Sequence, residues 1–184
     1  MRLFSNEHVF PRPWSTITAA SWCKYPNKEW APHITHVDYL SRDLVDGQLV
    51  TERILTYQQS IPPTLLRLVG LQEAPSTLVY ERSVVDAANE DMRLDTCNLT
   101  FGNLMVIEET CRYQPDPADR NTTLFTQTCR IKSFHGWSWL TRYIEDFCVG
   151  RFEANAQRGK RALEEAVEAL EKAWEVVCEG KRGA

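Results

Sequence analysis

Near Leu140 the spacing of apolar residues changes from about two to about 3.6. Before that point, segments 33–44, 48–58, 77–86, 91–101, 104–113 and 123–133 alternate apolar with polar positions. Turn material separates them, including Asp46-Gly47, Asn89-Glu90-Asp91, Gly102-Asn103 and Pro115-Asp116-Pro117. Parallel pairs need crossovers of about a dozen residues, so short, even connections point to an antiparallel meander. After the change, Ile144, Cys148, Phe152, Gly159, Leu163, Val167, Leu170, Trp174 and Val177 recur on one side of a helix ending near Cys178 and Gly180. Nearly forty helical residues span about 55 Å at 1.5 Å each, longer than a small sheet needs. A break near Gly150 or Gly159, or a projecting end, is therefore expected. At the other end of the chain, Arg2–Phe10 alternates as a strand and is stopped by Pro11 and Pro13. Trp14, Ile17, Thr18 and Trp22 then follow at helical spacing until Tyr25-Pro26-Asn27. The layout is α+β: a short N-terminal helix, one curved antiparallel sheet of about seven strands, and a long C-terminal helix across it.

With 184 residues, 43% apolar and 25% charged, the chain is expected to form a single domain with a real core. A net charge of −4 disfavours nucleic acid, which requires clustered excess Lys and Arg. No apolar run approaches the ~20 residues that span a bilayer, and no basic-then-apolar secretory leader opens the sequence. Cys23, Cys97, Cys111, Cys129, Cys148 and Cys178 show no CxxC or zinc spacing and read as reduced packing residues. Two sequons, at Asn98 and Asn121, are expected to be accidental.

Catalytic motifs are absent: there is no GxSxG, P-loop, GxGxxG or HExxH. His33 and His36 would fall on opposite faces of a strand, so no metal site, catalytic residue or cofactor is expected. The acidic pairs Glu108-Glu109 and Glu145-Asp146 read as solvated charges. Residues 60–71 form an unusually long and apolar connection, read either as a plug on the core or as a membrane-contacting lid. On the late helix, Arg151, Asn155 and Arg158 lie at i, i+4, i+7 and project along one line beside the apolar stripe. Those arginines either snorkel to water or rim a cavity suited to phosphate. Lys24 is a further cation near the end of the first helix, where it would also complement the helix dipole.

The ordered set Trp14 to Asn27 (ending Lys24-Tyr25-Pro26-Asn27), Pro32-His33, Val50-Thr51-Glu52-Arg53, Ser83-Val84-Val85-Asp86, Cys97-Asn98-Leu99-Thr100 and Arg151-Phe152-Glu153-Ala154-Asn155-Ala156 with Arg158-Gly159-Lys160 resembles the PRELI-like (slowmo) family. The resemblance runs from residue 1 to about 175, leaving 176–184 as a tail. It implies a START-like or phosphatidylinositol-transfer-like lipid cavity in a carrier of the mitochondrial intermembrane space. The expected ligand is a glycerophospholipid, the expected activity is transfer without chemistry, and membrane contact would be transient and with anionic surfaces. A small helical-hairpin protein with twin Cys-x9-Cys motifs is the implied heterodimer partner. Lys24, His33, Arg151, Asn155 and Arg158 fall on the family's headgroup positions, and Ile61, Pro62, Leu65, Leu66, Leu68, Val69 and Leu71 on its lid.

Two positions depart from the wider pattern. Tyr57 or Gln58 stands where some members carry a lysine before the lid, and Lys24 replaces the arginine of phosphatidic-acid carriers. The second difference, with the CNLT and VTER segments, resembles the slowmo branch and implies phosphatidylserine, with phosphatidic acid as the alternative. Two rival readings exist. One is an enzyme pairing His33 with Glu52 or Asp38; the other is a non-transferring adaptor whose interior is a solid core.

Overall fold

A computed structural model describes residues 1–25, 29–58, 63–68, 70–73, 75–134 and 138–182, with only the backbone described for 64, 65, 68, 138–140 and 177–182. Seven strands, β1 (Arg2–Phe10), β2 (Ile34–Val45), β3 (Gln48–Tyr57), β4 (Thr77–Asp86), β5 (Asp91–Asn98), β6 (Met105–Pro115) and β7 (Thr123–Ser133), form one antiparallel sheet. Its order is β1-β7-β6-β5-β4-β3-β2, so the expected meander is present and β1 adds beside its last strand. The Asp46-Gly47 turn between β2 and β3 has positive φ at both residues, 50° and 79°. That is the two-residue hairpin turn whose twist suits right-handed strands, and it explains an Asp-Gly at this point.

Helix α1 (Trp14–Cys23) follows β1, and α2 (Pro63–Leu68) lies between β3 and β4. The Trp14 indole donates to the Tyr113 carbonyl at 3.0 Å, tying α1 to β6. At the end of α2 the amide of Leu71 donates to the Leu66 carbonyl and that of Gly70 to the Arg67 carbonyl, with Gly70 at φ 75°. This Schellman arrangement requires a left-handed residue, which glycine supplies without a Cβ penalty. Within the apolar connection, Leu66 is buried and Leu71 half-buried. Ile61, Pro62 and Val69 lie outside the described residues, as do the side chains of Leu65 and Leu68.

Helix α3 (Ser138–Arg182) runs 45 residues without a break, about 67 Å. It passes through both glycines and continues beyond residue 176, where the sequence reading places a tail. Of the two expected outcomes the projecting end is the one found: Trp174 and Val176 are 72% and 69% exposed. Trp174 therefore leaves the apolar side assigned to it, because the sheet ends before the helix does.

A Cβ built on Gly150 meets nothing within 4 Å. Gly150→Ala should thus raise stability by about 0.5–1 kcal/mol, the helix-propensity difference; urea unfolding measures it, and a loss would reveal unseen crowding.

Two apolar clusters hold α3 on the concave face. One joins Phe10, Trp14, Ile17, Met92, Tyr113 and Phe125 to Leu163, Ala166 and Val167; the other joins Cys129 and Ile131 to Ile144 and Cys148. The five described cysteines are free thiols. The Asn98 side chain ties the β5–β6 connection: its amide donates to the Thr100 carbonyl at 2.8 Å and its oxygen accepts from the Ile107 amide at 2.7 Å.

Candidate lipid-binding site

Members of both clusters, among them Phe10, Leu94, Phe125, Ile107, Phe147 and Phe152, line a cavity of about 280 Å³ between sheet and α3. All five residues selected from the sequence, Lys24, His33, Arg151, Asn155 and Arg158, line it as well. The i, i+4, i+7 line on α3 thus faces the cavity, with Arg151 half-buried and Arg158 exposed at the rim. Lys24 enters from the residue following α1, its ammonium 4.8 Å from the Tyr25 ring centre. His33 precedes β2 and packs beside Tyr57, ring centres 5.6 Å apart. His36, by contrast, is exposed, and among the described residues no group of three His, Cys, Asp or Glu could hold a metal.

Cations gather around His33 in this corner. Burial lowers the pKa of His33, and the charges of Arg158, Lys24 and Arg151 lower it further. Burial likewise lowers Lys24, against the pull of Glu81, Cys111 and Glu109. Lys24, Arg151 and Arg158 form no ion pair among the described residues. The His33 Nδ1 and Arg151 Nε atoms are buried without a hydrogen-bond partner among the described residues. Three cations and two orphaned nitrogens around one space form a site short of an anion.

Because His33 binds its proton less readily folded than unfolded, stability of the empty protein should rise with pH across the window just below ~6.5. Thermal unfolding from pH 5 to 7.5 checks this, and His33→Gln should flatten the slope. A bound phosphate would reverse the shift by attracting the proton.

Neither acidic pair is solvated on both members. Glu109 faces the cavity while Glu108 points outward, and Glu145 is buried, where it accepts from the Ser133 amide at 3.4 Å. Strand alternation separates neighbours onto opposite faces, so adjacent acids cannot both be solvated when one face is covered. The inward positions of β3 and β4 hold a buried pair, Arg53 and Glu81, each 1% exposed. Arg53 Nε donates to Glu81 Oε1 at 2.6 Å, and the Tyr25 hydroxyl donates to Oε2 at 3.1 Å. Glu81 stands at an inward strand position that no local motif marks. The His33 pairing with Glu52 or Asp38 does not form. Glu52 lies on the outer face, accepting from the Tyr80 hydroxyl at 2.7 Å, and Asp38 is exposed.

Residues 15–173 match the PRELI-like family. The chain belongs to that family. PRELI-like relatives include the Saccharomyces cerevisiae protein UPS2, mitochondrial, 39% identical over 178 residues, or 95% of this chain and 76% of the yeast protein. The Dictyostelium discoideum protein slowmo homolog is 34% identical over 176 residues, 94% of this chain and 74% of that one. Solved structures share the fold at low identity. A START superfamily protein from Mycobacterium smegmatis has a TM-score of 0.53 at 16% identity, covering 91% of this chain and 98% of its own. The ZhuI aromatase/cyclase from Streptomyces sp. R1128 has a TM-score of 0.58 at 11% identity, covering 92% and 95%. This PRELI-like chain therefore has a START-type fold. Among its described residues no helix is long and apolar enough to cross a membrane.

Proposed function

We propose that this protein is a carrier that shuttles a glycerophospholipid, phosphatidylserine first among them, between the outer and inner mitochondrial membranes. The observation that carries this reading is the convergence of Lys24, Arg151 and Arg158 on His33 inside an apolar cavity. Such a site neutralises a headgroup phosphate that would otherwise be costly to desolvate, while the apolar lining takes acyl-chain surface out of water. The cavity also counts against the adaptor reading, which required a solid core. Family membership and the mitochondrial designation of UPS2 support the location, with the intermembrane space as the compartment. The unit acting in this way is residues 1–175, clasped by a small twin Cys-x9-Cys partner. Contact with anionic membranes is transient, through the connection around residues 61–71. In the closed arrangement described here Leu66 packs inward, so its contribution to such contact requires α2 to turn outward. No step of this cycle makes or breaks a covalent bond.

Lys24 separates the two candidate headgroups. A phosphomonoester suits a bidentate arginine fork, whereas a phosphodiester bearing a carboxylate and an ammonium needs the slimmer lysine. Transfer of labelled phosphatidylserine and phosphatidic acid between liposomes tests both levels of the proposal. Faster serine-lipid transfer is expected, with Lys24→Arg shifting the ratio toward phosphatidic acid by about tenfold, one bidentate contact. An unchanged ratio in Lys24→Arg removes the role given to Lys24. No transfer of any lipid by folded protein removes the carrier reading.

A further inference from the structure

Two carboxylates share the cavity with its cations, and they are not engaged alike. Glu81 has a cation on one oxygen and the Tyr25 hydroxyl on the other. Glu109, in the middle of β6, faces the same space with neutral donors only among the described residues. Its Oε1 accepts from the Gln127 amide and from the Cys111 thiol at 3.3 Å, and its Oε2 accepts from the Thr96 hydroxyl at 3.3 Å. No Lys or Arg forms an ion pair with it among the described residues. A carboxylate offers about four acceptor directions, so the three donors among the described residues leave one open, on Oε2. Burial raises the pKa of Glu109 despite the opposing pull of Gln127, Cys111, Lys24 and Thr96, the mark of a carboxylate short of positive charge.

For a purely anionic ligand this placement is adverse, because a phosphomonoester would meet a second negative group in a medium of low polarity. A headgroup that carries its own ammonium turns the same carboxylate into a partner. The cavity lining holds both signs of charge that such a headgroup needs, Glu109 on the sheet and Arg151 and Arg158 on α3. Lys24 lies in the field of both Glu109 and Glu81, and His33 lies in the field of Lys24, Arg158 and Arg151.

We propose that Glu109 is a specificity-determining residue, whose open carboxylate acceptor takes the primary ammonium of an aminophospholipid while Arg151 and Arg158 hold the phosphate. This rests on the carrier reading above, but not on the role given there to Lys24. It assigns the ligand class from the sheet side of the cavity.

The test uses the full chain and vesicles doped with phosphatidylserine, N-acetylated phosphatidylserine, phosphatidylglycerol or phosphatidic acid. For the native protein, acetylating the amine should cut transfer at least about tenfold, the worth of one charge-assisted hydrogen bond. Glu109→Gln keeps the shape and removes the charge. It should lower phosphatidylserine transfer by a similar factor, leave phosphatidylglycerol and phosphatidic acid unchanged or faster, and abolish discrimination against the acetylated lipid.

Equal transfer of free and acetylated serine lipid by the native protein would overturn the proposal, and so would a parallel loss of every lipid in Glu109→Gln. The parallel loss would mean that Glu109 acts only through Lys24 or through packing. If Glu109→Gln fails to fold, the comparison of free and acetylated lipid on native protein decides alone. If the native protein moves none of the four lipids, the carrier reading fails first and this assignment falls with it.

Discussion

Replacing Arg151 and Arg158 together by alanine should cut anionic-lipid transfer about a hundredfold while leaving the protein at least as stable as before. The two effects have one origin. Arg151 is half-buried with its Nε unpartnered, so a phosphate arriving there gains a charge-assisted hydrogen bond of about 1.5–3 kcal/mol. Arg158 is exposed at the rim, and its contact with a headgroup is screened to about 1 kcal/mol or less. A sum near 3 kcal/mol is about a hundredfold at 1.4 kcal/mol per decade. In the empty protein the same groups disfavour a charged His33, so their removal relieves the fold. Vesicle transfer and urea unfolding on the same preparations separate the cases. A loss of transfer matched by a fall in unfolding midpoint would make the arginines structural, and unimpaired transfer would remove them from the site.

The largest stability effect is expected at Arg53. Arg53→Leu leaves the Glu81 carboxylate buried with Tyr25 as its one remaining donor among the described residues and strips the guanidinium from beside aromatic rings. Its central carbon lies 4.6 Å from the Tyr25 ring centre and 5.3 Å from that of Trp22. Breaking one side of a buried pair costs about 3–5 kcal/mol, chiefly through the stranded charge. For a domain of this size that is a fall of about 10 °C in Tm. The double variant Arg53→Met with Glu81→Leu should recover most of the loss, because no buried charge is then left alone. Arg93→Ala, which opens an exposed pair with Asp95 at 2.8 Å, should change stability by less than about 1 kcal/mol. Equal effects at Arg53 and Arg93 would show that burial does not set the cost.

Much of the fold was open to inspection along the chain, because period and turn chemistry are local. The alternation in β1, the Asp-Gly turn before β3 and the 3.6-residue repeat of α3 each follow from side chains a few positions apart. The line formed by Arg151, Asn155 and Arg158 is equally local, since helical geometry alone puts them on one edge. Lys24 was legible as a cation near the end of α1, but that it and His33 share one space with this edge was a matter of the family resemblance, since both are remote from that helix in sequence.

The inward charged residues were not accessible in this way. Arg53, Glu81 and Glu109 alternate with their neighbours as solvated strand residues would, and a period of two does not say which face is covered. Only the closing of α3 over one side of the sheet decides it. The same closure sets where the helix stops being buried, and leaves Trp174 in water although its position continues the apolar stripe. The sequence by itself thus determined the elements, their order and one basic edge. The tertiary structure decided which charges share a low-dielectric interior, because that depends on distances between strands and helix that no local repeat encodes.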